Sequence, residues 1–403
     1  MRASARFCGC GGPFGEPSWA DPQGKMSGRS LPEDRKTYKD RRTISGENAR
    51  RFFIFPTTLL NPPPTVQTFA PITIALMKAI VVTELTGPDG LAFRDVPDPA
   101  PQAGEVLVDV EAVGVNFADV LAAKGQYPGG PQAPFISGRE FAGVISATGE
   151  RVMGYTQQGA CAERVAVAKN MTWPQPAGWT SEASAAFPVN YFTAWLLYWK
   201  AGLVAGIEPE EVAPERGRRP RVLIHAAAGG VGTAAVQIGK QLGIETYGTA
   251  SSDEKISRLR ELGLDHPINY KQDDYEPRIS ELTIGEGVDA VFDSLGGEHT
   301  AKSLRCCAFL GRVILFGNSS GERPKFDTMA MYSKSCSAHG LWLSKLSHNE
   351  ALMKQALQSM RPWLQSGAVR PVIGAVLPMT EAAEAHRMLL ERRNFGKVVL
   401  KLK

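Results

Sequence analysis

No apolar run in this chain approaches the roughly 18 residues that a membrane-spanning helix needs, and the stretch from Phe52 to Phe55 is far too short. A membrane is therefore not an expected partner. Cysteine and histidine are also scarce, with 6 of each in 403 residues. Cys8, Cys10, Cys161, Cys306, Cys307 and Cys336 show no paired metal-binding spacing, which excludes a structural zinc lobe and suits the reducing cytoplasm. An excess of one charge sign is missing from most of the chain. Of 45 Lys and Arg and 41 Asp and Glu, residues 1–76 hold 11 and 6, leaving 34 against 35 for the remainder. The Glu-, Pro- and Arg-rich run at 208–221 mixes both signs without interleaved aromatics, so it reads as a solvated loop, and no nucleic-acid partner is expected.

Residues 1–76 lack amphipathic periodicity and are rich in Pro, Gly and Arg, ending near Pro62-Pro63-Pro64; a disordered N-terminal extension is expected. Six acids and the prolines argue against an organelle-targeting peptide, and Met77 reads as the natural start of a first strand.

The most informative feature present is the run from Val222 to Gly232, VLIHAAAGGVG, an apolar strand emptying into a glycine-rich turn and then a helix. Ala227, Gly229 and Gly232 fall at the three small-residue positions of a dinucleotide-binding turn. A side chain there blocks the bend, the approaching pyrophosphate or the packing of helix on strand. Amide groups at the helix start then face the anion. A second strand at 245–250 ends in Thr249-Ala250-Ser251-Ser252, with no carboxylate for a ribose 2'-hydroxyl and with Lys255 just beyond. Hydroxyls and an ammonium suit a 2'-phosphate, so NADPH is expected over NADH. Ser251 with Glu254 also has the form of a capping box.

From Lys78 to about Val167 the pattern is short strands and turns, including 105–110 and 140–146, a small β-rich domain. From about Ser181 helices alternate with strands expected at 222–227, 245–250, 266–270, 290–295, 312–317 and 338–343, giving a doubly wound parallel sheet. A helix at 349–364, a strand near Val372, a helix at 380–392 and a strand at 397–402 follow. The strand 338–343 is expected at a sheet edge, exposing Leu341 and Trp342 and inviting pairing.

With these residues in view, the chain from Met77 to Lys403 resembles the quinone oxidoreductase and zeta-crystallin branch of the zinc-independent medium-chain dehydrogenase/reductase superfamily. The likeness is carried by LIHAAAGGVGTAAVQIGK at 223–240, GVNFADV at 114–120, GQYP at 125–128, GREFAGV at 138–144, INY at 268–270, FDSLGG at 292–297, FGNSSG at 316–321 and GKVVL at 396–400. It implies an α/β fold: a GroES-like β-rich catalytic domain from 77–190 and 345–403 plus a Rossmann domain from 191–344. It further implies a homodimer. Asn116 and Arg139 stand where zinc-dependent relatives carry Cys and His, so no metal is expected. Without a Lewis acid, an electron-poor acceptor, a quinone or an α,β-unsaturated carbonyl, is favoured over an alcohol. An enone or enoyl-thioester reductase and a non-catalytic NADPH-binding protein are the alternatives.

Residue by residue, the resemblance implies that Ala227, Gly229, Gly230, Val231 and Gly232 cradle the pyrophosphate and that Ser252, Lys255 and Tyr270 hold the 2'-phosphate. Asn116 and Tyr127 are placed at the nicotinamide end, Tyr127 as the best proton donor. Ser294, Gly296, Phe316, Gly317 and Asn318 are placed along the cofactor. Asn116 also has the residue type of an N-cap for 117–123, and Tyr127 that of ordinary packing before Pro128. Asp119 and His225 read as structural. Two departures from the family are a shortened connection between Gly149 and Val152 and the long insertion at 208–221.

Overall fold

A computed structural model describes residues 75–204 and 216–402. The disorder expected for residues 1–76 falls, up to residue 74, outside the described residues, as does the first part of the 208–221 loop, 208–215; Leu76 already belongs to the first strand.

One sheet carries the glycine turn. It has six strands, all parallel, in the order His266–Asn269, Glu245–Ala250, Arg221–Ile224, Val288–Asp293, Cys307–Leu315, Ser337–Gly340. Strand order reverses direction next to Arg221–Ile224, opening the crevice beyond the strands' C-terminal ends where such sheets bind ligands. Both faces are covered, so the central strands are apolar throughout: Val222, Leu223, Val288, Val291 and Phe292 are fully buried. The first strand ends at Ile224 rather than Ala227, because Ala226 turns to a φ of 50° and the apolar run continues into the bend. The last strand ends at Gly340, three residues short of expectation. Leu343 starts a short helix, and Leu341 is buried instead of exposed.

The second layer is β-rich. A seven-stranded sheet runs Ile373–Pro378, Lys397–Lys401, Glu105–Val115, Glu140–Ile145, Arg151–Tyr155, Thr172–Pro174, with Arg164–Ala168 also paired to Glu105–Val115. A three-stranded sheet adds Leu91–Pro97, Leu76–Val82 and Phe135–Ile136. The strand expected at 105–110 thus continues to Val115, where it delivers Asn116 to the crevice.

Helix Pro188–Lys200 ties the two halves together. Tyr191, Trp195 and Tyr198 on it are completely buried. Tyr198 donates to the carbonyl of Ala235 at 2.8 Å on helix Gly230–Gln241, and Gln237 donates to the Tyr191 hydroxyl at 3.0 Å. Tyr191 and Gln237 then grip the Arg370 backbone, Tyr191 donating to its carbonyl at 2.6 Å and Gln237 accepting its N–H at 2.8 Å. Both tyrosine hydroxyls of this buried layer are satisfied, so they fix the floor of the crevice without an unpaired donor of their own.

Two arginines at the end of the charged insertion, Arg216 and Arg218, are not solvated as expected, although Arg219 between Arg218 and the strand is exposed. Arg216 and Arg218 pair with the buried Asp289, Arg218 at 2.8 Å, and Arg221 reaches Glu245 at 3.1 Å and Glu286 at 2.9 Å. They clamp the sheet at the end opposite the crevice, which is why a run of mixed charges sits beside a buried strand.

Candidate active site

The glycine turn is built by close packing. Gly229 has extended backbone and precedes helix Gly230–Gln241. A Cβ on Gly232 would lie 2.4 Å from the Ala226 carbonyl oxygen, and one on Gly230 would lie 2.6 Å from the Asn190 amide. Gly229, Gly230, Val231 and Gly232 line a cavity of about 1040 Å³, at the top of the roughly 300–1,000 Å³ range of small-molecule sites. Ala227 does not line it. That residue is fully buried behind the turn, packed near Gly248 of the adjacent strand.

At one end of the cavity stand Ser251, Lys255, Tyr270 and Arg392. Lys255 Nζ donates to the Arg392 carbonyl at 2.6 Å, and Arg392 Nη1 donates to the Tyr270 hydroxyl at 3.1 Å. Burial lowers the Lys255 pKa; Glu254 opposes this, while Arg258, Arg392 and Lys271 push it further down. Such crowding of cations is relieved by a bound anion. Ser252 does not line the cavity but is the helix N-cap, its hydroxyl accepting the Lys255 N–H at 3.4 Å; the capping residue is therefore Ser252, not Ser251. Arg392 escapes sequence reading because it arrives from a loop 137 positions away, with a φ of 56° that nothing in an arginine announces.

Ser294, Phe316, Gly317 and Asn318 line the middle of the cavity, whereas Gly296 stands behind them. Asp293, wholly buried, organises this segment: it accepts the N–H groups of Leu295 at 2.8 Å and Gly296 at 3.1 Å, and the Thr300 hydroxyl at 2.8 Å. His225 lies beneath, its ring nitrogens 3.2 Å from the Thr249 hydroxyl and 3.1 Å from that of Ser303.

The far end is aromatic and hydroxylic. The Tyr127 hydroxyl accepts from Trp342 Nε1 at 2.6 Å and lies 3.0 Å from Ser344 Oγ, which lies 2.8 Å from the Tyr155 hydroxyl. Burial raises the Tyr155 pKa. Asn116 does sit at the N-cap of helix Phe117–Ala123, and its N–H donates to Asp119 Oδ2 at 2.8 Å. Its side chain is occupied elsewhere, accepting from Lys397 Nζ at 2.6 Å and donating to Glu140 Oε1 at 2.9 Å. Lys397 and Glu140 are a buried ion pair. Arg139 is buried over the Tyr127 ring, 4.0 Å from its centroid, and its Nε is 3.4 Å from Asp119. No spacing in the sequence marks Tyr155, Arg139, Trp342, Ser344 and Lys397 as cavity residues, because four separate chain segments bring them in.

Among the described residues no three His, Cys, Asp or Glu side chains converge as a metal site, and the guanidinium of Arg139 has no lone pair to give.

A doubly wound cofactor-type sheet joined to a GroES-like β domain, with the cleft between them, defines a medium-chain dehydrogenase/reductase. Residues 102–171 match the alcohol dehydrogenase GroES-like domain and residues 262–400 the zinc-binding dehydrogenase family. The chain is 32% identical to rat quinone oxidoreductase over 341 residues, covering 81% of this chain and 98% of that protein. It is also 32% identical to the rat synaptic vesicle membrane protein VAT-1 homolog over 352 residues, covering 80% and 84%. Among solved structures, the Thermus thermophilus quinone oxidoreductase, studied also in complex with NADPH, superposes with a TM-score of 0.69 at 36% identity, covering 81% of this chain and all of that one. The chain belongs to the medium-chain dehydrogenase/reductase superfamily, among its quinone oxidoreductase-like members.

Proposed function

We propose that this protein is an NADPH-dependent reductase that passes hydride, without zinc, to a quinone or a related electron-poor α,β-unsaturated carbonyl. The observation that carries this reading is one continuous cavity joining a cationic end, Lys255 with Tyr270 and Arg392, to the aromatic end around Tyr127 and Trp342. NADPH when bound supplies the hydride. The chain's own residues do the rest: the amides at the start of helix Gly230–Gln241 face the pyrophosphate, Lys255, Tyr270, Arg392 and Ser251 surround the 2'-phosphate, and Asn116, held by Lys397 and Glu140, marks the nicotinamide end. The hydroxyls of Tyr127, Ser344 and Tyr155 form a chain along which a proton can reach the reduced acceptor.

A steady-state panel of quinones, enones and enoyl thioesters with NADPH tests the reading. Quinones and simple enones are expected to turn over fastest. A strong enoyl-thioester preference would move the protein to the alternative reductase class, and NADPH binding with no turnover of any acceptor would make it a binding protein.

For the cofactor, Lys255→Ala and Arg392→Gln are each expected to weaken NADPH by about 1.5–3 kcal/mol, the range for hydrogen bonds to charged groups, and to leave NADH nearly unchanged. Fluorescence titration with both nucleotides measures this; equal losses would remove the 2'-phosphate assignment.

The same reading includes a cytoplasmic homodimer. The edge strand Ser337–Gly340 and the exposed Met329 and Tyr332 of the preceding helix Thr328–Lys334 form the proposed contact. Sedimentation at micromolar concentration is expected to give a dimer, and Met329→Lys with Tyr332→Lys a monomer. The four described cysteines, Cys161, Cys306, Cys307 and Cys336, are buried and unpaired, as suits a reducing compartment, and no described helix is long and apolar enough to cross a membrane.

A further inference from the structure

Arg139 is the cavity's unexplained charge. It lies at the start of strand Glu140–Ile145, lines the aromatic end of the cavity and is 4% exposed. Burying a guanidinium is costly unless its donors are matched. Here they are poorly matched: Nε and Nη1 are buried with no hydrogen-bond acceptor, and the one carboxylate beside them, Asp119 at 3.4 Å from Nε, makes an ion pair without hydrogen-bond geometry. Asp119 is a weak counter-ion, since burial pushes its pKa up to about 6 while its other oxygen is committed to the Asn116 N–H. The guanidinium lies over the Tyr127 ring, 4.0 Å from its centroid, a contact that favours the cation without consuming a donor. The Tyr155 hydroxyl nearby feels the same charge and a hydrogen bond from the guanidinium.

We propose that Arg139 is a catalytic residue whose guanidinium, under-matched by the protein and lining the aromatic end of the cavity, binds the acceptor's carbonyl oxygen and stabilises the negative charge it acquires as hydride arrives. This rests on the reductase reading. In the step, the acceptor gains the two electrons and the hydrogen lost by NADPH: a C–H bond forms, the conjugated π pair shifts and the carbonyl oxygen becomes an enolate, which for a quinone reaches the hydroquinone anion once the oxygen is protonated and the ring C–H proton is lost to solvent. The guanidinium donates hydrogen bonds to that oxygen and keeps its own protons. The oxygen then takes one proton from solvent, by way of Tyr127. A permanently charged fork fixed in a dry site needs no reorganisation as the charge develops, and it stands where zinc-dependent relatives place a metal ligand.

The same fork should favour a phenolate over its phenol, so the test uses 4-nitrophenol as an oxyanion mimic in the complex with NADP+, read by its visible absorbance. The variants are Arg139→Lys and the double Arg139→Met/Asp119→Asn, which removes both charges and leaves neither buried alone. In the wild type, binding is expected to raise the phenol's acidity about tenfold or more, one pKa unit. The lysine variant retains part of that shift and the double variant loses it, with NADP+ affinity unchanged in both. With a quinone acceptor, kcat of the double variant should fall about 10²-fold, the loss typical of removing one such donor, at constant KM for NADPH. A folded, NADP+-binding variant of either kind that ionises the phenol as the wild type does would overturn the role of Arg139 and leave the reductase reading standing. Phenolate selection that vanishes with Arg139 in a protein that reduces no quinone or enone would keep the anion site and remove the reductase reading.

Discussion

Replacing Lys397 by Met is expected to destabilise the protein by about 3–5 kcal/mol, the range for breaking a buried ion pair from one side. Lys397 is 3% exposed and Glu140 fully buried, and the two are paired. Glu140 has its other oxygen on the Val189 N–H at 2.7 Å, and Asn116 bridges both partners. On the strand side the space is filled, so the backbone cannot close over the loss: a Cβ on Gly114 would lie 2.6 Å from Glu140 Oε1 and 2.7 Å from Lys397 Cε. Methionine therefore leaves Glu140 as a lone buried charge and strips Asn116 Oδ1 of its donor. The double variant Lys397→Met/Glu140→Gln removes the charge as well and should recover most of the stability, because the penalty belongs to the uncompensated ion. Urea unfolding of wild type, single and double variants gives the comparison through the midpoint at constant slope. A double variant no more stable than the single would mean the pair's value lies in packing rather than in charge.

That cluster also shows what the sequence could and could not disclose. The glycine turn was legible because much of its requirement is local: Gly232 is crowded by the backbone of Ala226 and Ala227 in the same bend, so its residue type follows from the turn, whereas Gly230 is held small by Asn190 of another helix. The parallel sheet was legible too, its strands being apolar throughout and separated by helices. Boundaries slipped where chemistry is continuous across them. The run through Ala227 stays apolar although Ala226 has already turned, and Ser251 and Ser252 are equally good caps until the helix start is fixed. The acceptor end was mostly hidden. Lys397 meets Asn116 across 281 positions, and Trp342 meets Tyr127 across 215. No spacing encodes such pairs, so Asn116 reads in the sequence as a cap or a cofactor contact, while the structure makes it a cap whose amide is spent on an ion pair. Arg139 is visible in the sequence only as a departure from the metal-binding pattern; its unmatched donors required the fold.

His386→Leu is expected to gain stability over the wild type as pH falls, widening the difference by about 2 kcal/mol between pH 7.5 and pH 5. His386 is 2% exposed on helix Ala382–Leu390, and its Nδ1 has no hydrogen-bond partner. Burial alone lowers its pKa to about 4. Because the folded value lies below the unfolded one of roughly 6.5, the unfolded chain takes up a proton below that pH that the folded chain refuses until about pH 4. Stability is therefore intact above about pH 6.5 and drains away as pH falls toward 4. His225 shifts the same way, also through burial. Asp119 works in the opposite sense: its folded pKa of about 6 exceeds the ordinary carboxylate value, so it holds a proton the unfolded chain has lost, and it stabilises the fold as pH drops through that window. The whole protein's acid profile mixes these signs, and only the difference between variant and wild type isolates His386. Leucine keeps the volume, removes the orphaned nitrogen and cannot titrate. Paired denaturation curves at the two pH values decide the matter: a stability difference that does not change with pH would mean His386 takes up its proton in the folded state as readily as in the unfolded chain.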